Sequence, residues 1–333
     1  MPGMTRIIPA LVIGAFLCLV GAAAGLGSVT GEGVLHPIPS PTQSPGPGGR
    51  TIEPPPAIDW VKQAQAGCGG VPTRAWSNGV WRCVLSDDFD GTALDLTRWT
   101  VVETKDGGFS SGIPPAFACY KYDPRTVSVS GGYLNLSVIK DDDQFLCGGP
   151  AAQPTKYIGG AVSTKDRLVQ AYGRFQIRAK FAADPLPGLQ SSLVLMPDTN
   201  EYELRSGEID IAEYFTKWPD RVIPFVRYAH RGDDPTETTD ECSIDRPDQF
   251  HTYTLQWTPD QIDMYMDGKR CLSTTWSAGG GLHRPKPFDQ PFYLTMFEAL
   301  GVSKAAFDED DDPPDLPATM QVDYVRIWGA RED

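Results

Sequence analysis

Three carboxylates lie within six residues of a segment that otherwise has the character of a buried strand. The segment reads Glu208-Ile209-Asp210-Ile211-Ala212-Glu213. Neighbouring carboxylates raise one another's pKa, and a buried charge is costly unless it is paired. Two carboxyl groups with different pKa values can supply the acid and the nucleophile that break a glycosidic bond. The alternative is a solvated acidic strand edge, which the flanking apolar residues disfavour.

The spacing of the carboxylates predicts an irregularity in this strand. Side chains alternate along a strand, so Glu208 and Asp210 point to one face and the two isoleucines to the other. Glu213 stands five residues beyond Glu208, an odd offset that aims it at the wrong face. One extra residue, a β-bulge, would return Glu213 to the face of the other two carboxylates. As an acid, Glu213 is expected to titrate above Glu208.

The surrounding sequence predicts strands that would position this segment. Apolar and polar residues alternate over 175–181, over 134–138 and over 262–266, and the last run leads into an Asp267-Gly268 hairpin turn. No stretch shows helical periodicity over three turns. We therefore expect an all-β fold in which two antiparallel sheets pack face to face as a sandwich.

Composition and the N-terminal sequence indicate an exported protein with neutral substrates. The net charge of −14 would repel nucleic acid and anionic lipid. Residues 1–26 place Arg6 before a long apolar run, as in a secretory signal, although an uncleaved membrane anchor is the alternative. Residues 27–59 form a Pro-rich linker, with eight prolines between Pro37 and Pro56. Residues 60–333 are the predicted catalytic domain, and we expect a secreted monomer, or one tethered through the N-terminal segment.

Six cysteines follow the apolar segment, and an even number in an exported chain indicates disulfides. Fifteen connectivities are possible for six cysteines. We favour sequential pairs that close short loops and link neighbouring strands: Cys68–Cys83, Cys119–Cys147 and Cys242–Cys271. A zinc site is disfavoured because no CxxC pair exists and the histidines do not cluster with the cysteines.

The sequence resembles glycoside hydrolase family 16. The hexapeptide 208–213 matches the family signature E-x-D-x-x-E in the two-residue spacing of its 1,3-β-glucanases, the laminarinases. Further landmarks occur in family order: Asp87–Gly91 with Leu96–Trp99, Ser128–Leu136, Tyr172–Arg178, Phe250–Pro259 and Val322–Trp328. The resemblance implies a concanavalin-like β-jelly roll with a substrate cleft on its concave face.

The resemblance also implies roles for the three carboxylates in a retaining endo-β-glycosidase acting on 1,3-β-glucan. Glu208 would be the nucleophile, Glu213 the acid and base, and Asp210 the residue between them. No cofactor is required, although the family often binds a structural Ca²⁺, to which Asp323 is a candidate contributor. A glucan-binding protein without activity and a transglycosylase are alternatives on the same fold.

Five further residues are candidates for substrate binding. Many laminarinases carry tryptophans in the strand before the signature, where this chain has Gln190, a possible hydrogen-bond donor to the sugar. Tyr214 and Trp218 either stack on a sugar ring or pack in the protein. Arg227 either donates to substrate or pairs with the nearby acids. His251 either lines the cleft or packs.

Overall fold

The computed structural model describes Cys68 and most of the chain from residue 81 to residue 330. The described residues are 68, 81–106, 110–111, 114, 116–149, 152–199, 201–202, 206–228, 236–239, 241–278, 281–301, 305, 307 and 312–330. The predicted N-terminal signal or anchor (1–26) and Pro-rich linker (27–59) lie outside them. In the described part, no helix is long and apolar enough to cross a membrane.

Strands make up nearly all the regular structure of the described residues, together with a 3-10 turn at Thr104–Asp106. In chain order the strands are β1 Trp81–Asp87, β2 Thr100–Val101, β3 Ala118–Tyr120, β4 Val127–Ser130, β5 Tyr133–Cys147, β6 Gln153–Ser163, β7 Gly173–Lys180, β8 Leu189–Pro197, β9 Glu208–Phe215, β10 Ile223–Arg227, β11 Thr236–Thr238, β12 His251–Trp257, β13 Ile262–Met266, β14 Lys269–Thr274, β15 Phe292–Leu300 and β16 Ala318–Ala330.

The strands form an all-β jelly roll, which confirms the predicted fold class. One half of the sandwich has the order β11-β10-β9-β8-β15-β6, and the other continues as β5-β16-β7-β12-β13-β14. The pairings along this path are antiparallel, and β3 adds to β6 in parallel. The signature strand β9 therefore lies inside the first half, between β8 and β10.

The core lies between the two halves, where the inward-facing apolar residues of the strands meet. Ile209 and Leu195 from the first half share a cluster with Phe175, Leu255 and Ile327 from the second, and all five are buried. Alternation places these side chains on the inner face, so Glu208 and Asp210 of β9 must occupy the outer face. We call this outer face the concave face, after the substrate cleft that the family resemblance predicts there. The core thus fixes which face of β9 is available for chemistry.

Three disulfides link the cysteines in the sequential order favoured from the sequence. The pairs are Cys68–Cys83, Cys119–Cys147 and Cys242–Cys271, with Cα–Cα distances of 5.5, 5.7 and 5.3 Å. Cys119–Cys147 joins β3 to the end of β5, and Cys242–Cys271 joins the segment after β11 to β14. The last bridge therefore ties the signature half of the sandwich to the opposite half.

Candidate active site

A β-bulge in β9 brings the three carboxylates to one face, as the odd spacing predicts. On one side, Leu193 and Val194 of β8 pair with Ala212 and Asp210, so two residues of β8 face three of β9. The ladder to β10 shifts at the same place, and Ile211 is the extra residue. Regular alternation resumes after the bulge with its phase reversed. Glu208, Asp210 and Glu213 consequently share the concave face.

A glycine with a left-handed backbone starts the signature strand. Gly207 has φ of 84°, and a Cβ atom there would lie 2.8 Å from Phe288 Cε1 and 3.2 Å from the carbonyl oxygen of Arg227. Neither the conformation nor the space suits a larger residue. Gly207 thus lets Glu208 begin β9 in register with Arg227 of β10.

Arg227 contacts all three carboxylates. Its Nε lies 3.0 Å from Asp210 Oδ2 and 3.9 Å from Glu208 Oε1, and its Nη2 lies 3.2 Å from Glu213 Oε2. The guanidinium also lies over the Phe225 ring, 4.6 Å from its centroid. Of the two roles predicted for Arg227, the structure shows the pairing with the acids.

Glu213 receives two further hydrogen bonds from β8. Gln190 Nε2 donates to Glu213 Oε1 at 2.9 Å, and the Ser192 hydroxyl donates to the same oxygen at 3.3 Å. Gln190 is buried and also contacts Ser192 at 3.3 Å. Gln190 therefore holds a carboxylate of the site, in a strand position where a sugar contact was predicted. These bonds fix the orientation of Glu213 before any substrate binds.

The pKa values of both outer carboxyl groups are raised. Burial and the charge of Asp210 raise the pKa of Glu213 to about 7, against the opposing effects of Arg227, Gln190 and Ser192. Burial, and after it the charge of Asp210, also raises the pKa of Glu208 well above its usual range, while the positive charge of Arg227 opposes the shift. The sequence predicts a higher pKa for Glu213 than for Glu208, but burial acts on both. Both glutamates therefore hold a proton more tightly than an exposed glutamate does.

An apolar group extends the concave face beyond Glu213. Phe215, Ile223, Phe225 and Ala305 form a small cluster, and half-buried Trp218 packs against it. Trp218 meets Phe215 edge-on, with ring centroids 5.7 Å apart. The four cluster residues are buried, so Trp218 is the partly exposed aromatic residue of this group.

Tyr214 lies in the core, so of the two roles considered for it the structure shows packing. It is 1% exposed and stacks on Phe181 with ring centroids 5.6 Å apart. The bulge explains the difference: once Glu213 is turned to the concave face, the next residue must point to the core.

His251 belongs to the opposite half of the sandwich and holds a hairpin turn. Its Nδ1 lies 2.7 Å from Asp267 Oδ2, and its Nε2 lies 3.0 Å from the carbonyl oxygen of Arg246. Asp267 lies in the turn between β13 and β14, and it also accepts a hydrogen bond from the Thr252 amide. Of the two roles predicted for His251, the structure shows packing and leaves it outside the cluster of acids.

Asp323, the candidate calcium ligand, forms an ion pair with Arg178 in the opposite half of the sandwich. Within the described ranges, no three His, Cys, Asp or Glu side chains come together in a way that could hold a metal. Calcium binding at Asp323 stays a prediction, and these contacts do not favour it.

Three residues near the site were not predicted. Ser192 contacts Glu213, and Phe225 lies under Arg227. Glu298 of β15 is fully buried and accepts a hydrogen bond from Ser191, the register partner of both Glu298 and Tyr214. The polar run Gln190-Ser191-Ser192 in an otherwise apolar strand was a usable signal for Ser192. A single acid in the apolar sequence of β15 was the corresponding signal for Glu298.

Comparisons with known proteins agree with this geometry. The sequence profile described as "Glycosyl hydrolases family 16" matches residues 120–310. "Glucan endo-1,3-beta-glucosidase A1" of Niallia circulans is 31% identical over 77% of this chain, which spans 38% of that relative. "Keratan-sulfate endo-1,4-beta-galactosidase" of Sphingobacterium multivorum is 26% identical over 81% of this chain and 60% of that relative.

A solved structure shows the same fold. The laminarinase from Rhodothermus marinus superposes with a TM-score of 0.60 at 26% identity, covering 76% of this chain and 98% of that one. The profile match extends over more than half of the sequence and includes β9 with its three carboxylates. The chain therefore belongs to the glycosyl hydrolases of family 16.

Proposed function

We propose that this chain is a retaining endo-β-glycosidase that hydrolyses 1,3-β-glucan. The observation that carries the proposal is the bulge that sets Glu208, Asp210 and Glu213 on one face of β9. Similarity to a protein named as a 1,3-β-glucosidase and to a laminarinase structure supports the choice of linkage.

In the proposed mechanism, two displacements occur at the anomeric carbon. The Glu208 carboxylate attacks this carbon while Glu213 transfers its proton to the departing glycosidic oxygen, which leaves a glycosyl ester on Glu208. Glu213, now ionised, takes a proton from a water molecule that attacks the same carbon and releases Glu208. Asp210 lies between the two glutamates in the strand, and its carboxylate is held by Arg227 Nε at 3.0 Å. Two inversions give net retention, which requires carboxyl groups about 5–5.5 Å apart.

A substrate panel tests this proposal directly. The purified protein is incubated with laminarin, lichenan, agarose, galactan and keratan sulfate, and the products are sized. Oligosaccharides of mixed length from laminarin are expected, because an endo-enzyme cuts within the chain. NMR of the first products should show the β-anomer before mutarotation. Early α-anomer would mean inversion, and cleavage of a galactan alone would replace the proposed substrate.

A glucan-binding protein without turnover is the second candidate. The observation in its favour is that Arg227 already pairs with all three carboxylates. Laminarin binding without release of reducing ends, measured on the same sample by calorimetry and a reducing-sugar assay, would support this candidate. A transglycosylase would instead produce chains longer than the starting oligosaccharide.

We also propose that the protein is exported and acts as a monomer. Three disulfides support an oxidising compartment. The N-terminal sequence of the protein recovered from the medium and from membranes would distinguish a cleaved signal from an anchor. Light scattering during size exclusion would test the monomer.

A further inference from the structure

Arg227 lies within the acid cluster and contacts all three carboxylates. The inference drawn from this position rests on the proposed glycosidase function. Arg227 is in register with Glu208 across the β9–β10 ladder, and its side chain reaches along the strand to Asp210 and Glu213. Its side chain is 22% exposed, whereas those of Asp210 and Glu213 are 1% and 8% exposed. The charges therefore interact in a site from which most water is excluded, where Coulomb attraction is strong.

Among the described residues, Arg227 is the positively charged group that contacts the acid cluster. From β9 the facing groups are the three carboxylates, and from β8 they are the uncharged Gln190 and Ser192. Across β10, Thr236 of β11 is the register partner of Arg227, and Glu237 is the register partner of Val226. Burial opposes the charge on Arg227, but the carboxylates raise its pKa, so it stays cationic.

We propose that Arg227 is a positioning residue that orients Glu213 and sets the pH range in which the carboxylate cluster is active. Its two nitrogen donors bridge Asp210 and Glu213, and its positive charge allows neighbouring carboxylates to ionise together. Phe225 holds the guanidinium from below. Ion pairing with Arg227 opposes the effect of burial on Glu213, whose pKa is about 7, close to where a general acid and base works best.

Removal of the Arg227 charge should move the pH profile of activity to higher pH. Arg227 lowers the proton affinity of both Glu208 and Glu213. An adjacent arginine typically lowers a carboxyl pKa by about one to three units. In Arg227→Met, both limbs of the pH profile of kcat/KM should therefore move to higher pH by about one unit or more. Structural damage alone would lower the rate without moving the limbs.

Matched variants separate charge from geometry. Arg227→Lys keeps the charge but cannot bridge two carboxylates in the same way, so the limbs should stay in place while kcat falls. Arg246→Met is the control, because Arg246 is an exposed arginine that pairs with Asp248 far along the chain from β9 and β10. Unmoved limbs in a folded Arg227→Met, or limbs that move equally in Arg227→Lys, would overturn the proposal.

A measurement without substrate keeps this inference distinct from the proposed function. Glutamate carboxyl carbons labelled with ¹³C are titrated by NMR in the parent and in the Met and Lys variants. Glu213, assigned through Glu213→Gln, should titrate at higher pH in Arg227→Met and close to the parent midpoint in Arg227→Lys. If the parent cleaves none of the polysaccharides but these shifts occur, the proposed function fails and the role of Arg227 as counter-ion stands. An unshifted Glu213 midpoint in Arg227→Met overturns that role.

Discussion

Replacement of Glu213 by glutamine should change how stability depends on pH. The pKa of Glu213 is about 7 in the folded protein against an ordinary value of 4.5. Because the folded state binds this proton more tightly, Glu213 imposes no cost below pH 4.5 and its full cost above pH 7. The difference of about 2.5 units, at 1.36 kcal/mol per unit, gives about 3 kcal/mol. Glutamine is nearly isosteric and carries no charge, so the variant should lack this loss of stability.

The assay is chemical denaturation of the parent and Glu213→Gln at pH 4.5 and pH 8, with the disulfides intact. Relative to the parent, the variant should gain about 3 kcal/mol of unfolding free energy between the two pH values. Glu208 and Glu298 are present in both proteins, so most of their titration cancels in the comparison. Glu241→Gln, at an exposed position, is the control and should show no such gain. Parallel stability curves for the parent and Glu213→Gln would refute the electrostatic reasoning.

Glu208→Gln should abolish turnover while the fold is retained, as measured by laminarin hydrolysis and near-UV circular dichroism; near-parental kcat would exclude Glu208 as the nucleophile. Tyr214→Phe removes a buried hydroxyl that has no partner among the described residues, so laminarin activity should be unchanged and unfolding free energy should change by less than about 1 kcal/mol. A large rise in KM would instead indicate that Tyr214 contacts the substrate. The paired change of Cys242 and Cys271 to serine opens a bridge with a sequence separation of 29 and should cost about 2–4 kcal/mol in denaturation experiments. Peptide mapping without reduction should recover the three pairs, and a cross-linked Cys83–Cys119 peptide would contradict them.

The bulge in β9 was predictable because it follows from local rules. An odd offset between two acids, in a strand whose isoleucines must face the core, leaves one extra residue as the simplest solution. The same argument fixes Tyr214 in the core, since it follows Glu213 directly. Of the two roles considered for Tyr214, stacking on a sugar and packing in the protein, its position in the strand after the bulge allows only packing.

The contacts of Arg227 and His251 depend on strand pairing that the sequence does not specify. Arg227 could reach the acids only if β10 paired with β9 in the observed register, which depends on the turn between them. His251 is adjacent to the turn residue Asp267 because β12 and β13 form a hairpin in the other half of the sandwich. Glu298 and Ser191 meet through a pairing between β8 and β15, which are far apart in sequence.

One strand supplies all three carboxylates, so the substrate specificity of this fold can change while the reacting groups stay the same. Their spacing is set by one strand and its bulge, and the side chains that orient them come from the two neighbouring strands. Changes in loops away from these three strands can therefore alter the surroundings of the site without moving the reacting groups. Bond-breaking and substrate choice become separable traits, and natural selection can alter one while the other persists. The names of two relatives, one referring to a glucan and one to keratan sulfate, are consistent with this separation of bond-breaking from substrate choice. For protein engineering, the loops around the acid cluster are therefore the place to change substrate specificity, and β9 should be kept unchanged.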